Sequence, residues 1–290
     1  MTGRGLALRA VLVTALAVAG CGDSGEGARG PEAASPDLSA EVVQLRRDQV
    51  LERIEIALRN DGFQDVVVRR LRVLVDGYAS PPAQPKESPI RAGLVVNLPW
   101  AYGDVRCGPD LGPPDVGPAR VRLRVTVGAS TTARGVTLSA TDPDRLLTRI
   151  AERTCAVRRA GRDVELRFAD DWRLERSSDR DVLHGTLRAT LRADGPREIS
   201  QVAGAIMYGL EPDQTARPAS EPLAVLTPER PSADIPVLAF AARCDGHTIG
   251  EIKKPYEFLV WVGEPGTEPL AVTPAVGQAT RDALRQVCAF

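Results

Sequence analysis

The feature that most constrains this chain is that its second half restates its first. "LRNDG" at Leu58–Gly62 returns as "LRADG" at Leu191–Gly195, 133 residues later, and Cys155 returns as Cys288 at the same spacing. "VTVG", ending at Gly128, returns as "VWVG" ending at Gly263, 135 residues later. "VRCG" around Cys107 returns as "ARCDG" around Cys244, 137 residues later. Drifts this small are what loops of different length between shared elements produce. The sequence therefore predicts two copies of one domain, over residues 41–158 and 163–290.

Periodicity supplies the fold class. In "RIEIALRN", Ile54, Ile56 and Leu58 alternate with Arg53, Glu55 and Arg59. In "HGTLRATLRA", Leu187, Ala189 and Leu191 alternate with Thr186, Arg188 and Thr190. Period-two alternation marks half-buried antiparallel strands. Further strands are predicted at 42–46, 66–75, 94–107, 121–127 and 136–139 in the first copy. In the second they fall at 164–168, 199–210, 235–244, 257–262 and 270–273. Pro- and Gly-rich stretches such as "SPPAQPKESP", "GPDLGPPDVGP" and "EPDQTARPASEP" read as loops between them. The expected fold is mainly β: tandem immunoglobulin-like antiparallel β-sandwiches.

Each copy is predicted to close with a short helix. "DPDRLLTRIAERTC" offers Asp142 as a cap and Pro143 at the first helical position, and "TPAVGQATRDALRQVC" offers Thr273 and Pro274. Leu147, Ala151 and Cys155 share one helical face, as do Leu284 and Cys288. Apart from Cys21, four cysteines remain, which allow three pairings in an exported chain. The repeat favours Cys107–Cys155 and Cys244–Cys288, each stapling its helix to its sandwich.

The N-terminus carries an address. Arg4 and Arg9 precede an apolar run from Leu6 to Val18 that is short for a membrane span and suits a signal peptide over residues 1–20. The following "VAGC", Val18–Cys21, resembles a bacterial lipobox. That resemblance implies cleavage before Cys21 and acyl (palmitate-type) chains on it, enough for stable membrane anchoring. Residues 21–40 read as a tether. Gly20, Gly22 and Gly25 match GxGxxG, but no strand precedes them and no helix follows, so the match is set aside.

Composition excludes some function classes and leaves others open. Net charge is −1 over 290 residues, and the chain without its first twenty carries 35 basic against 38 acidic residues. A nucleic-acid partner is not expected from that balance. The basic residues are nearly all arginine, which reads as a composition bias. No nucleophile elbow, HExxH pair or phosphate loop follows the leader. Only two histidines occur. His184 falls on the polar side of its strand and reads as a surface residue. Trp172, in "FADDW", is expected in the seam between the domains.

The remaining cluster is "ARCDGHTIGEIKKPYEF", where Asp245, His247 and Glu251 follow Cys244. Three such side chains could nominally hold a catalytic zinc, although the spacing fits no standard zinc motif. The plainer reading is a turn whose polar side chains bond local backbone, and between the two stands a recognition turn built on the same three residues. The first copy has "CGPD" here and no histidine, so a site would belong to the second copy alone.

The block Arg243–Phe258, together with "VAGC", resembles uncharacterised secreted and lipid-anchored proteins of actinobacteria. In these an Arg-Cys-Asp-x-His turn precedes a Lys-x-Tyr/Phe strand, and a final cysteine ends the domain. The resemblance covers about the last fifty residues and the lipobox. It implies a cell-envelope location on the extracytoplasmic face of the membrane, and no established activity.

The expected function is thus a lipid-anchored binding or scaffolding protein of the cell envelope, with an envelope protein or wall component as partner and no cofactor. Two other readings stand beside it: an exported metal-dependent hydrolase using Asp245, His247 and Glu251, and an accessory subunit of an envelope transport or wall-synthesis complex.

Overall fold

The computed structural model describes residues 36–213, 221–252 and 254–288. Cys21, the leader and most of the tether lie outside the described residues.

The first sandwich is built in chain order from β1 (Leu38–Val43), α1 (Arg46–Val50), β2 (Arg53–Asn60), β3 (Val66–Leu74), β4 (Gln84–Ile90), β5 (Val95–Ala101), β6 (Ala119–Val127) and β7 (Arg134–Ala140). Its two antiparallel sheets run β1-β2-β5 and β4-β3-β6-β7. Their inner faces enclose one core, in which Ile54, Ile56, Leu58, Leu71, Val121 and Val125 are all fully buried. Alternation in β2 and β6 puts every second side chain there, as a pleated strand must.

Two details differ from the sequence reading. "SPPAQPKESP" is not a loop, because β4 runs through it. Pro85 and Pro89 sit opposite Arg70 and Val67 on the edge of the sheet, where a missing N–H costs no ladder bond. Glu55 is not solvated either. Helix α1 folds over the outer face of β2 and leaves Glu55 1% exposed, with Arg47 donating to it at 3.0 Å.

The second sandwich comprises β8 (Val164–Phe168), β9 (Arg173–Glu175), β10 (Val182–Leu191), β11 (Arg197–Ala203), β12 (Tyr208–Pro212), β13 (Ala224–Leu226), β14 (Ser232–Ala241), α3 (Gly246–Glu251), β15 (Leu259–Gly263) and β16 (Leu270–Val272). Its sheets run β12-β14-β10-β8, with β9 also on β10, and β13-β11-β15-β16. Set against the first, β8-β10-β14 repeats β1-β2-β5, and β13-β11-β15-β16 repeats β4-β3-β6-β7. The fold is a tandem of immunoglobulin-like antiparallel sandwiches.

The repetition extends to closure of each sandwich. After β7, Thr141 joins β1, donating its N–H to the Ala40 carbonyl and accepting from Val42 N–H at 2.9 and 2.8 Å. After β16, Ala275 joins β8, donating to Leu166 and accepting from Phe168 at 3.0 and 3.5 Å. The predicted strand 199–210 breaks in two at Gly204. A Cβ there would collide with the Tyr208 carbonyl, so the chain can fold back on itself only at glycine.

Helix α2 (Leu146–Asp163) follows the first sandwich and α4 (Gln278–Cys288) the second. Asp142 does cap α2, since its carboxylate accepts the N–H groups of Leu146 and Leu147 at 2.7 and 3.0 Å. Pro143 lies outside the helix, whose N-cap is Arg145 in the left-handed region (φ 51°). Thr273 and Pro274 likewise precede α4, because the next residue, Ala275, is held on β8. Leu147, Ala151 and Cys155 form the buried stripe of α2.

Unlike the expected short helix, α2 runs on past Cys155 and passes straight into β8. Ala160 packs in the second core, and Gly161 lies against Val272 of β16. One helix therefore serves both sandwiches, which is why the polar "RRAGRD" stretch stays helical. Disulfides join Cys107 to Cys155 and Cys244 to Cys288, with Cα atoms 5.7 and 5.4 Å apart. Among the described residues no helix is long and apolar enough to cross a membrane.

Trp172 does not sit between the sandwiches. It packs half-buried against the core of the second one, covering Gly185 and touching Phe168, and its indole N–H donates to Thr280 of α4 at 3.1 Å. Gly185 is required there, since any Cβ would occupy the indole's place.

Candidate recognition face

Strand β14 ends at Ala241, and the next two N–H groups, Ala242 and Arg243, both reach the Met207 carbonyl at 2.9 and 3.2 Å. Cys244 is then fixed by its disulfide to α4. Its neighbour Asp245 is the N-cap of α3, in extended conformation with φ −75° and ψ 152°. One carboxylate oxygen accepts Thr248 N–H at 2.9 Å and the other accepts the Thr248 hydroxyl at 2.8 Å. The Thr248 backbone bond, then its hydroxyl, hold the Asp245 carboxyl below its ordinary range, against a small opposing effect of burial and with help from Arg243. Asp245 thus answers the first exposed donors of a helix end, as its residue type favours.

Of the three polar residues singled out in this turn, only two meet beyond their own backbone. His247 Nε2 lies 3.4 Å from Glu251 Oε2, one helical turn on, with both side chains about three-quarters exposed (75% and 72%). Asp245 is committed to its cap, with Arg243 3.9 Å away, and does not join them. Among the described residues no group of three or more His, Cys, Asp or Glu side chains is placed to hold a metal ion.

The ground beneath this turn is braced. Tyr256 stacks flat on Tyr208, ring centroids 5.7 Å apart, and the Arg281 guanidinium of α4 lies over Tyr256. Burial, with the neighbouring Tyr256, pushes the Tyr208 phenol up to about 12. Two apolar side chains stand out of the same end: Ile206 beside Met207 is 62% exposed, and Ile249 of α3 is 37% exposed. The face is a small exposed helix of mixed character beside a stacked tyrosine pair.

Two constellations escaped sequence reading. His184 is not a free surface residue. It lies between Glu175, 3.0 Å from Nε2, and Asp213, 3.9 Å from Nδ1. The pairing of β9 with β10 sets Glu175 beside His184, and the pairing of β12 with β14, itself next to β10, brings up Asp213. The second is a groove of about 930 Å³ along the end of α2, lined by Arg159, Arg162, Arg192, Arg197 and Glu264 among others. Its walls come from loop 110–112 of the first sandwich and loop 192–197 of the second.

No family model and no curated protein matches the chain. Among solved structures it is similar to a protein of unknown function from Porphyromonas gingivalis W83, at 11% identity and a TM-score of 0.21, covering 77% of this chain and 90% of that one. It is also similar to the CsuC-CsuE chaperone-tip adhesion subunit pre-assembly complex of Acinetobacter baumannii, at 13% identity and a TM-score of 0.17, covering 77% and 92%. A third is a biofilm associated protein B domain, at 8% identity and a TM-score of 0.18, covering 81% and 83%.

Proposed function

We propose that the chain is a lipid-anchored protein of the bacterial cell envelope that binds or scaffolds a partner through the α3 end of its second sandwich. The observation that carries this reading is a contrast between the two copies. After Cys107, the loop turns back on its own junction, with the Leu111 carbonyl accepting from Arg159 of α2 at 3.0 Å. After Cys244, the equivalent stretch instead forms α3 and offers His247, Ile249 and Glu251 to solvent.

Loops on a rigid sandwich are where such folds carry recognition. The mixture here, two isoleucines, one imidazole, one carboxylate and Arg243, suits a protein or wall surface better than a small molecule. The lipid on Cys21 would supply the membrane attachment, and "VAGC" supports it.

The test is cross-linking in cells from a photoreactive side chain placed at Ile249, followed by identification of the captured partner. A defined envelope partner, lost when His247 and Glu251 are both replaced by alanine, is the expected result. Capture that is equally strong from the outer face of β3, with none from Ile249, would overturn the assignment.

A further inference from the structure

The opposite end of the molecule carries an apolar tip. Three loops of the first sandwich meet there beside its first strand. Asp61 N–H donates to the Asp37 carbonyl at 2.9 Å, Gly93 N–H to Asn60 at 2.8 Å, Asn60 N–H to Leu94 at 3.0 Å and Gly128 N–H to Asp65 at 2.8 Å. Residues 36–37, 61–65, 91–94 and the start of 128–133 therefore form one surface. On it Phe63 is 102% exposed, Leu94 53% and Val95 43%. A scattered exposed leucine is ordinary, but a phenylalanine with its whole ring in water at a loop apex is not.

The charged side chains of this surface are Asp37, Asp61, Asp65 and Arg91, all exposed. Loop 128–133, "GASTTA", has none. Asp61 accepts the Ser39 hydroxyl of β1 at 2.9 Å, and Asp65 accepts Ala92 N–H at 3.0 Å, which fixes where these two carboxylates stand. Arg91 is exposed beside Leu94.

Where the chain enters decides the occupant. Pro36 and Asp37 adjoin Gly62, whose Cβ position lies 3.7 Å from Asp37, so the N-terminal segment arrives next to Phe63. Fourteen residues lie between Cys21 and Pro36, a span of at most ~50 Å even fully extended. Helix α2 leaves from the other end of the strands, where the Tyr78 hydroxyl meets the Leu147 carbonyl.

We propose that the Phe63–Leu94–Val95 tip seats on the phospholipid bilayer, with Phe63 and Leu94 at the headgroup–acyl boundary and Arg91 among the headgroups. This rests on the lipid-anchor reading above and adds an orientation to it. The first sandwich stands on the membrane and the second is directed away from it, α3 outermost. So small an apolar area does not recruit the protein alone; it fixes the posture of a chain already anchored.

The experiment uses the full lipidated chain in vesicles of phosphatidylcholine and phosphatidylglycerol, with and without bromine on the upper acyl chain. A Phe63→Trp chain should gain an emission that shifts to the blue on vesicles and is lost with brominated lipid. A Val225→Trp chain, altered in the second sandwich, should gain emission insensitive to bromine. Amide exchange in 61–65 and 91–94 should slow on vesicles for wild type and not for Phe63→Asp. Bromine-insensitive emission from position 63 with unchanged exchange, in a chain that floats with the vesicles, overturns the proposal while leaving the anchor intact. A chain that does not float and whose Cys21 is unmodified by mass spectrometry sinks the anchor reading, and the posture with it.

Discussion

Asp163, the last residue of α2, accepts a 2.7 Å charged hydrogen bond from Arg197 at the start of β11. Both side chains are largely buried, 9% and 13% exposed, and Glu264 stands 3.5 Å from the same guanidinium. The Asp163 carbonyl also accepts Arg192 N–H at 2.7 Å. A helix that belongs half to the first sandwich is thereby tied at its tip to the sheet of the second. Asp163→Ala leaves a largely buried guanidinium with only the Pro196 carbonyl and the more exposed Glu264 as partners, at a cost of up to about 3 kcal/mol. Thermal unfolding should show the second sandwich melting earlier, with the first little changed.

The two disulfides close loops of similar length, 48 and 44 residues apart in sequence. Chain entropy assigns each roughly 4 kcal/mol at most. Their consequences should differ in place. Replacing Cys107 and Cys155 by alanine frees the helix that links the sandwiches, so limited proteolysis should begin to separate them. Replacing Cys244 and Cys288 frees α3 and the end of α4, while Trp172 still holds Thr280. Melting and protease resistance equal to wild type in both variants would refute the stapling role.

Gly185 and Trp172 give a sharper check on the second core. A Cβ at 185 cannot coexist with the indole, so Gly185→Ala must displace Trp172 and its bond to Thr280. The loss is expected at about 3 kcal/mol, comparable to truncating a packed tryptophan. Trp172→Ala should cost about as much, and the double variant little more, because both act on one packing contact. Additive losses would disprove that coupling.

Much of this architecture was legible in the sequence because its signals are local. Period-two alternation in β2 and β10 reads directly, and the repeat of Cys107/Cys155 by Cys244/Cys288 gives the pairing its symmetry. What was not legible depends on neighbours. Pro85 and Pro89 argue against a strand unless one knows it lies at a sheet edge. Glu55 looks solvated until α1 covers it. The helix past Cys155 lacks a single apolar stripe, because it faces two different cores in turn. In the candidate site, the polar character of the turn was visible, but the commitment of Asp245 to Thr248 needs the backbone path after Cys244. Glu175, His184 and Asp213 are too far apart in sequence to suggest one another.

Acid should loosen α1 first. Burial alone would raise the Asp48 carboxyl, but hydrogen bonds from Arg53 and from Leu45 N–H, with the charges of Arg53 and Arg47, outweigh it and hold it below the usual aspartate range. A carboxyl depressed on folding adds stability that is fully present above its unfolded value and fades as pH falls through its folded one. Glu165, Asp234 and Asp245 are shifted the same way. Stability should therefore be flat from neutral pH down to about 5 and fall steadily below about 4. Asp48→Asn should be less stable at neutral pH, with a shallower acid slope. An unchanged slope in denaturant titrations across pH would count against this account.

The recognition face separates structure from function residue by residue. Asp245→Ala removes the cap of α3, so it should unwind that helix and raise amide exchange across 246–251 without lowering global melting much. His247→Ala touches only an exposed ion pair, which is worth little to stability. If α3 is where a partner docks, both variants should weaken capture of that partner, Asp245→Ala through shape and His247→Ala through lost contact. Asp245→Asn keeps an acceptor for Thr248 N–H and should recover most of the helix. Titration of the identified partner against the three variants, beside their exchange profiles, distinguishes the cases. Undiminished binding by His247→Ala together with loss by Asp245→Ala would move the contact from the imidazole to Ile249 and the helix backbone.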